Sequence, residues 1–292
     1  MTALALDIGG SKMTAALVGR DGRPEKPVTV PTPASGVWSA CASLLRKIAP
    51  GQHIDRIGVA CSGPVSLDTG SVAPINIAEW KNGFALAGRI TEIFPDVDVR
   101  LAMDGSAAAL GEHRFGAAVG VPDVLSLVVS TGIGGGLVLG GQIVGGASGN
   151  AGHIGHIVVP GSTTACACGG IGCVETVSSG PSAVRWAREQ GWTGSTGTEL
   201  AAAATSGEPV AITSLQRAGV ALGQAIASAV ALVDVRMVVI GGGFAQAGPP
   251  LWDPIRESIG LHARLKFLDG LQVVPAALGG LGTVYGAAAL TG

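Results

Sequence analysis

Residues 3–12 read ALALDIGGSK, an apolar run that ends in Asp7 and passes directly into a glycine turn. The run predicts a buried strand, and the residues after Lys12 predict a second strand, so the two form a hairpin. Glycine lets the backbone approach a ligand closely, and N–H groups that point into one concavity bind phosphate. The stretch therefore predicts a phosphate-binding hairpin with Asp7 as an orienting carboxylate. A tight hairpin turn without a ligand is the alternative.

The same pattern recurs near residue 130. Residues 124–130 predict a strand, residues 131–136 a glycine turn, and residues 137–139 a further strand. A later strand at 237–240 runs into three consecutive glycines. The chain contains neither a P-loop nor a dinucleotide-binding glycine pattern. The repetition instead predicts two domains of similar topology whose glycine turns hold a triphosphate between them.

Asp104 is the candidate general base. Residues 97–103 predict a strand and residues 106–115 an Ala-rich helix, so Asp104 lies where α/β folds place their chemistry. A hydroxyl group is a poor nucleophile until a carboxylate accepts its proton. The alternative is that Asp104 only caps the helix.

His156, Cys166, Cys168 and Cys173 form the candidate metal site. Three thiolates and one imidazole make a closed tetrahedral shell that suits Zn²⁺, and a closed shell leaves no position for a catalytic water. The cluster therefore predicts a structural zinc ion, with buried free thiols or one disulfide as the alternative. His153 lies in the same loop, where it is a candidate substrate contact.

Composition limits the class of protein. The chain has 292 residues, of which 47% are hydrophobic and 13% charged, and this fits two domains with sizeable cores. The net charge is -2 and there is no basic stripe, so we expect no nucleic-acid partner. We find no signal peptide and no run of eighteen apolar residues, and therefore expect a cytoplasmic protein without membrane contact.

Four motifs in this order resemble the ROK family, named for repressors, open reading frames and kinases. They are DIGGSK at 7–12, STGIGGG at 130–136, GHIGH at 152–156 and CACGGIGCVE at 166–175. The resemblance covers nearly the whole chain. It implies the α/β actin-like ATPase (ribonuclease H-like) two-domain sugar kinase fold and a homodimer. The family's repressors carry a helix-turn-helix domain before the first strand, which here begins at Ala3, so we expect a kinase.

We expect a small N-terminal domain at 1–113, with the final helix at about 281–292 packing back on it. A larger domain at 114–280 would carry the zinc loop and the nucleotide site. The resemblance implies ATP with Mg²⁺ as donor and assigns roles to individual residues. Asp104 would be the base. The ATP and phosphate contacts would be Asp7, Gly9, Gly10, Ser11, Lys12, Thr131, Gly132, Gly134, Gly242 and Gly243. The sugar contacts would be Gly63, Asn76, Asp104, His153, His156 and Glu175.

Two positions depart from the family pattern and bear on the sugar. His153 stands where family glucokinases have Glu, and the resulting loop resembles that of bacterial N-acetylmannosamine kinases. Met103 stands where the family usually has Asn, so one acceptor contact is missing. We therefore expect phosphorylation of a hexose-type sugar at O6, with N-acetyl-D-mannosamine as the leading substrate. The alternatives are a glucokinase or broad hexosamine kinase and, in another class, a non-catalytic sugar sensor.

Overall fold

The computed structural model describes all residues, Met1–Gly292. The strands are β1 (Ala3–Ile8), β2 (Lys12–Val18), β3 (Pro24–Pro31), β4 (Arg56–Cys61), β5 (Val65–Ser66), β6 (Ser71–Val72), β7 (Asp98–Met103), β8 (Val124–Val129), β9 (Ile133–Leu139), β10 (Gln142–Ile143), β11 (Met237–Gly241) and β12 (Gln272–Pro275). The helices are α1 (Val37–Ile48), α2 (Leu86–Thr91), α3 (Asp104–Phe115), α4 (Glu175–Ser178), α5 (Gly180–Glu189), α6 (Gly197–Thr205), α7 (Pro209–Val233), α8 (Pro249–His262) and α9 (Gly282–Ala289).

The chain divides into two compact units. The first unit comprises residues 1–122, 136–152 and 277–292, and the second comprises residues 123–135 and 153–276. The sequence predicts a single boundary after residue 113. The structural division differs from it, because the segment 136–152 belongs to the first unit. The predicted domains 1–113 and 114–280 remain a proposal.

The first unit is built on a mixed sheet with the strand order β3-β2-β1-β4-β7. The predicted hairpin is present, since β1 and β2 pair antiparallel, and β1, β4 and β7 run parallel. Alternate residues of β1 serve different cores, as the two-residue period of a strand requires. Leu4, Leu6 and Ile8 belong to a large core packed with α1 and α2, whereas Ala5 belongs to a smaller core of mostly alanines on α3 and α9.

The final helix α9 packs closely on α3 and on the first sheet. Gly58 and Gly286 allow this, because a Cβ on either would overlap the carbonyl oxygen of Ala287 or Ala107, respectively. The close approach lets Thr283 on α9 reach the end of β1, where it meets Asp7. The last helix therefore contributes a side chain to the edge of the sheet where β1 ends.

The three parallel strands of the first sheet end level with one another. Ile8 at the end of β1 pairs with Cys61 at the end of β4, and Cys61 pairs with Met103 at the end of β7. The segments that follow these strands therefore leave the sheet at the same edge. Ligands of α/β folds bind at such carboxyl-terminal edges.

The second sheet has the order β10-β9-β8-β11-β12, which repeats the order of the first. The expected recurrence of strand, glycine turn and strand is confirmed at the level of the sheets. One expected boundary was wrong: β9 begins at Ile133 and not at residue 137. Glycines in a strand can reflect close approach of another backbone, and a Cβ on Gly136 would lie 2.5 Å from Gly105 O.

Helices α4 to α8 belong to the second unit. The longest, α7, is long and apolar enough to cross a membrane by length and composition alone, with a mean hydropathy of 1.2 over its most apolar window. Half of that window is buried in the protein. One such helix is weak evidence for a membrane span, because core helices pass the same test. The expected cytoplasmic location and homodimer stay predictions.

Candidate active site

The first glycine turn joins β1 to β2 in the first unit. The N–H of Gly9 donates to Lys12 O at 3.0 Å and closes the turn. Gly10 lies against Asn76, and a Cβ there would stand 2.8 Å from Asn76 Cγ. Asn76 Nδ2 donates to Ser62 Oγ at 3.3 Å. A larger residue at position 10 would displace Asn76, so the glycine is needed for this approach.

Lys12 and Ser11 lie beside the same turn and are exposed. Lys12 Nζ donates to Gly280 O at 3.3 Å, and Ser11 O accepts the N–H of Thr32 at 3.0 Å. An ammonium group next to backbone N–H groups supplies the positive charge that a phosphate requires. The turn has the elements of an anion site.

Asp7 is buried at the end of β1, with 7% of its surface exposed. The pKa of Asp7 is raised to about 6, mainly by burial and in smaller part by the nearby Asp104 carboxylate. The hydroxyl of Thr283, which donates to Asp7 Oδ2 at 2.6 Å, and the charge of Lys12 act in the opposite direction. Asp7 and Asp104 therefore form a pair of carboxylates at one edge of the first sheet.

We expect Asp7→Asn to change the pH dependence of stability. Because the folded protein binds this proton more tightly than the unfolded chain, Asp7 lowers stability progressively as pH rises from about 4 to about 6. Between pH 4 and pH 7 the variant should gain about 2–3 kcal/mol relative to wild type. Urea unfolding without nucleotide or magnesium measures this, and Thr283→Val should act in the opposite sense. A difference that does not vary with pH would contradict the assignment.

Asp104 is the first residue of α3 and follows β7 directly. Its Oδ1 accepts the N–H of Gly105 at 2.7 Å, and the positive end of the helix dipole stabilises a carboxylate in this first turn. Asp104 has the expected position at the strand end. The alternative that Asp104 is the N-cap of the helix is wrong, because Met103 is the N-cap and Asp104 is the first residue of α3.

Gly63 and Met103 lie next to one another in the first unit. A Cβ on Gly63 would stand 3.2 Å from Met103 Sδ, and Met103 is 2% exposed. The thioether thus packs into the core beside Gly63. Met103 therefore supports the segment that follows β4.

The second glycine turn joins β8 to β9 in the second unit. The N–H of Ser130 donates to Gly132 O at 2.9 Å, and Ser130 O accepts the N–H of Gly180 at 2.9 Å. Gly134 lies in β9, with no atom within 4 Å of the place a Cβ would take. The turn is thereby tied to the N-terminus of α5.

A cavity of about 830 Å³ lies in the second unit beside this turn. Thr131 and Gly243, both predicted to contact ATP, line it. Gly242 has a φ of +97°, and a Cβ there would overlap the backbone of Val129, so this position requires glycine. The other residues that line the cavity were not predicted from the sequence. The available signal was the capping box of Thr196 and Glu199, which marks the start of α6 beside the cavity. The other lining residues include Ser130, Gly180, Pro181, Val184, Arg185, Arg188, Glu189, Ser195, Thr196, Gly197, Thr198 and Phe244.

The four predicted metal ligands meet in one cluster. Their ligand atoms all lie within 4.8 Å of one another. Cys168 Sγ is 3.7 Å from Cys173 Sγ, and Cys166 Sγ is 3.7 Å from His156 Nδ1. A tetrahedral ion with bonds of about 2.3 Å would set its ligands about 3.8 Å apart. The donor set and the spacing therefore fit Zn²⁺, with Nδ1 as the ligating nitrogen of His156.

The two remaining predicted sugar contacts lie next to this cluster. The ring centroids of His153 and His156 are 5.7 Å apart. Glu175 begins α4 two residues after Cys173, and its Oε2 accepts the N–H of Ile133 at 2.6 Å. The structure thus brings the predicted residues together within each unit, while their roles toward ATP and sugar remain proposals.

Comparisons with known proteins identify the family of the chain. The sequence pattern of the ROK family matches residues 3–292. Kanosamine kinase of Amycolatopsis mediterranei is 36% identical over 242 residues, which cover 83% of this chain and 78% of that protein. N-acetylmannosamine kinase of Shigella boydii is 34% identical over 249 residues, covering 83% of each chain.

A solved structure supports the fold. The ROK family glucokinase of Streptomyces griseus, in complex with glucose and AMPPNP, is 30% identical and matches with a TM-score of 0.83 over 99% of each chain. The actin-like sugar kinase fold expected from the resemblance is confirmed, as is the similarity to N-acetylmannosamine kinases. With a family match over nearly every residue and a shared fold, the chain belongs to the ROK family.

Proposed function

We propose that the protein is an ATP-dependent sugar kinase. The observation that carries the proposal is that β1, β4 and β7 end at the same level. The glycine turn with Lys12 follows β1 and Asp104 follows β7, so both lie at the same edge of the sheet. One group can hold a phosphate there and the other can accept a proton. ROK family sugar kinases among its relatives support this reading.

Asp104 would accept the proton of the attacking sugar hydroxyl. The hydroxyl oxygen would form a bond to the γ-phosphorus while the bond from that phosphorus to the bridging oxygen of ADP breaks. The glycine turns and Lys12 would neutralise charge that develops on the transferred group. Mg²⁺ bound to the triphosphate would supply further neutralisation, and Asp7 is the carboxylate we propose to orient it.

The cavity beside Thr131 and Gly243 would hold the nucleoside part of ATP. Its volume of about 830 Å³ is within the range of cofactor pockets. Arg185 and Arg188 line it and would add positive charge. The cluster of His156 with Cys166, Cys168 and Cys173 would hold a structural Zn²⁺, which leaves Nε2 of His156 available for a sugar hydroxyl.

N-acetyl-D-mannosamine is the acceptor that we propose first, with phosphorylation at O6. His153 supports it, because an imidazole in place of a carboxylate suits a sugar whose 2-hydroxyl is replaced by an acetamide. The similarity to N-acetylmannosamine kinase also supports it. Glucose and amino-hexoses are the alternative acceptors, favoured by the relatives that are glucokinases and a kanosamine kinase.

We expect a coupled ADP-release assay to show turnover with N-acetylmannosamine and slower turnover with the other acceptors. The panel should contain glucose, mannose, N-acetylglucosamine and N-acetylmannosamine, with a no-sugar control for ATP hydrolysis. A preference for glucose would remove the narrower proposal and leave the kinase. Sugar binding by calorimetry without turnover of any sugar at millimolar concentration would favour a non-catalytic sensor instead.

A further inference from the structure

The carboxylate of Glu175 lies against the backbone of the second glycine turn. Its Oε2 accepts the N–H of Ile133 at 2.6 Å. A Cβ on Gly132 would stand 2.7 Å from the same oxygen. The carboxylate is therefore in contact with two consecutive residues of the segment that joins β8 to β9.

The metal-ligand loop also reaches Ile133 at its carbonyl group. Gly155 precedes the ligand His156 and packs so closely on Ile133 O that a Cβ at position 155 would overlap it. Glu175 follows the ligand Cys173 by two residues. Ile133 is thus held at its N–H and at its carbonyl by two segments, each of which contains a metal ligand.

The short helix that carries Glu175 is itself fixed in the second unit. The N–H of Val174 donates to Ile157 O at 2.8 Å, and Ser178 Oγ donates to Ala218 O at 2.8 Å in a buried contact. A side chain on a helix that is itself held by such contacts can hold a neighbouring turn in one conformation.

We propose that Glu175 is a positioning residue that holds the turn at 130–133 in its phosphate-binding shape and links the metal-ligand loop to nucleotide affinity. The inference rests on the proposed function and adds to it. The hydrogen bond occupies the N–H of Ile133, and Ser130 donates its N–H to Gly132 O, so the N–H groups of Thr131 and Gly132 are the ones left to face phosphate. Loss of a hydrogen bond to a charged group typically lowers an equilibrium constant by tenfold or more, on the order of 1.5–3 kcal/mol.

Two substitutions separate positioning from charge. Glu175→Ala removes the acceptor, and we expect AMPPNP to bind about tenfold more weakly by calorimetry. Glu175→Gln keeps an oxygen at the same reach and should remain within about threefold of wild type, because a neutral carbonyl oxygen also accepts an N–H. Zinc content and melting temperature are measured on each protein. Glu208→Ala, an exposed carboxylate in the same unit, is the matched control.

The outcomes are distinct. Weaker AMPPNP binding in Glu175→Ala, rescued in Glu175→Gln with zinc retained, supports the inference. Unchanged AMPPNP binding with a raised KM for sugar makes Glu175 a sugar contact alone and overturns it, as does tighter binding in both variants. If Glu175→Ala does not fold, Glu175→Asp is measured in its place. Its shorter side chain should weaken AMPPNP binding, and unchanged binding would overturn the inference. Wild type that binds no AMPPNP overturns the proposed function as well.

Discussion

We expect Asp104→Asn to lower kcat by roughly 10²–10⁴-fold, the range in which a positioned general base contributes to a reaction. Asparagine keeps the size of the side chain and an oxygen that accepts the N–H of Gly105, as Asp104 does at 2.7 Å. It does not accept a proton at neutral pH. The loss should therefore appear in kcat and kcat/KM together, with AMPPNP affinity within about twofold of wild type. Steady-state kinetics and calorimetry measure the two quantities.

Asp104→Ala removes the hydrogen bond to the N–H of Gly105 in addition to the proposed base. We expect a similar loss of kcat and a somewhat lower melting temperature, because a first-turn carboxylate contributes about 0.3–1 kcal/mol to a helix. Asp68→Ala, an exposed carboxylate in the same unit, is the matched control. Full activity in Asp104→Asn would show that another group accepts the proton.

Cys168→Ser should remove the bound metal and lower the melting temperature together. Cys168 is exposed, so serine at this position buries no new polar group, and the effect reports the lost ligand. Metal binding stabilises the folded state, and a loss of about 3 kcal/mol corresponds to a fall of roughly 5 °C for a chain of this size. Elemental analysis and thermal unfolding on the same preparation measure both effects.

Cys41→Ala is the matched control for this substitution. Cys41 is buried in the core of the first unit, whereas the cluster belongs to the second, so the variant should keep its metal and lose only packing energy. A Cys168→Ser protein that retains one zinc ion per chain would contradict the ligand set. Metal loss without a change in melting temperature would instead show that the ion does not stabilise the fold.

Local patterns predicted the parts of the site that depend on a few neighbouring residues. The hairpin at Asp7, the strand end before Asp104 and the metal ligands from His156 to Cys173 are each encoded within short stretches. Such features follow from hydrophobic periodicity, turn chemistry and ligand type. The structure places them as the sequence predicts.

Features that depend on distant residues were not predicted. Glu175 and Ile133 are 42 positions apart, and nothing in either segment indicates their hydrogen bond. The helix α8 was missed because Pro249 and Pro250 begin it and Pro254 lies inside it, and proline argues against a helix interior. The packing of the Met103 thioether beside Gly63 also joins distant positions and was not predicted.

The level ends of β1, β4 and β7 restrict how this protein can be altered. Adding one residue inside β7 would move Asp104 by about 3.3 Å and turn every later side chain of the strand to the opposite face. The pairing of Cys61 with Met103 would be lost at the same time. In a library of variants selected for activity toward a new sugar, variants with insertions or deletions in these strands should therefore be lost. Productive variation is expected in the connecting segments beyond the strand ends.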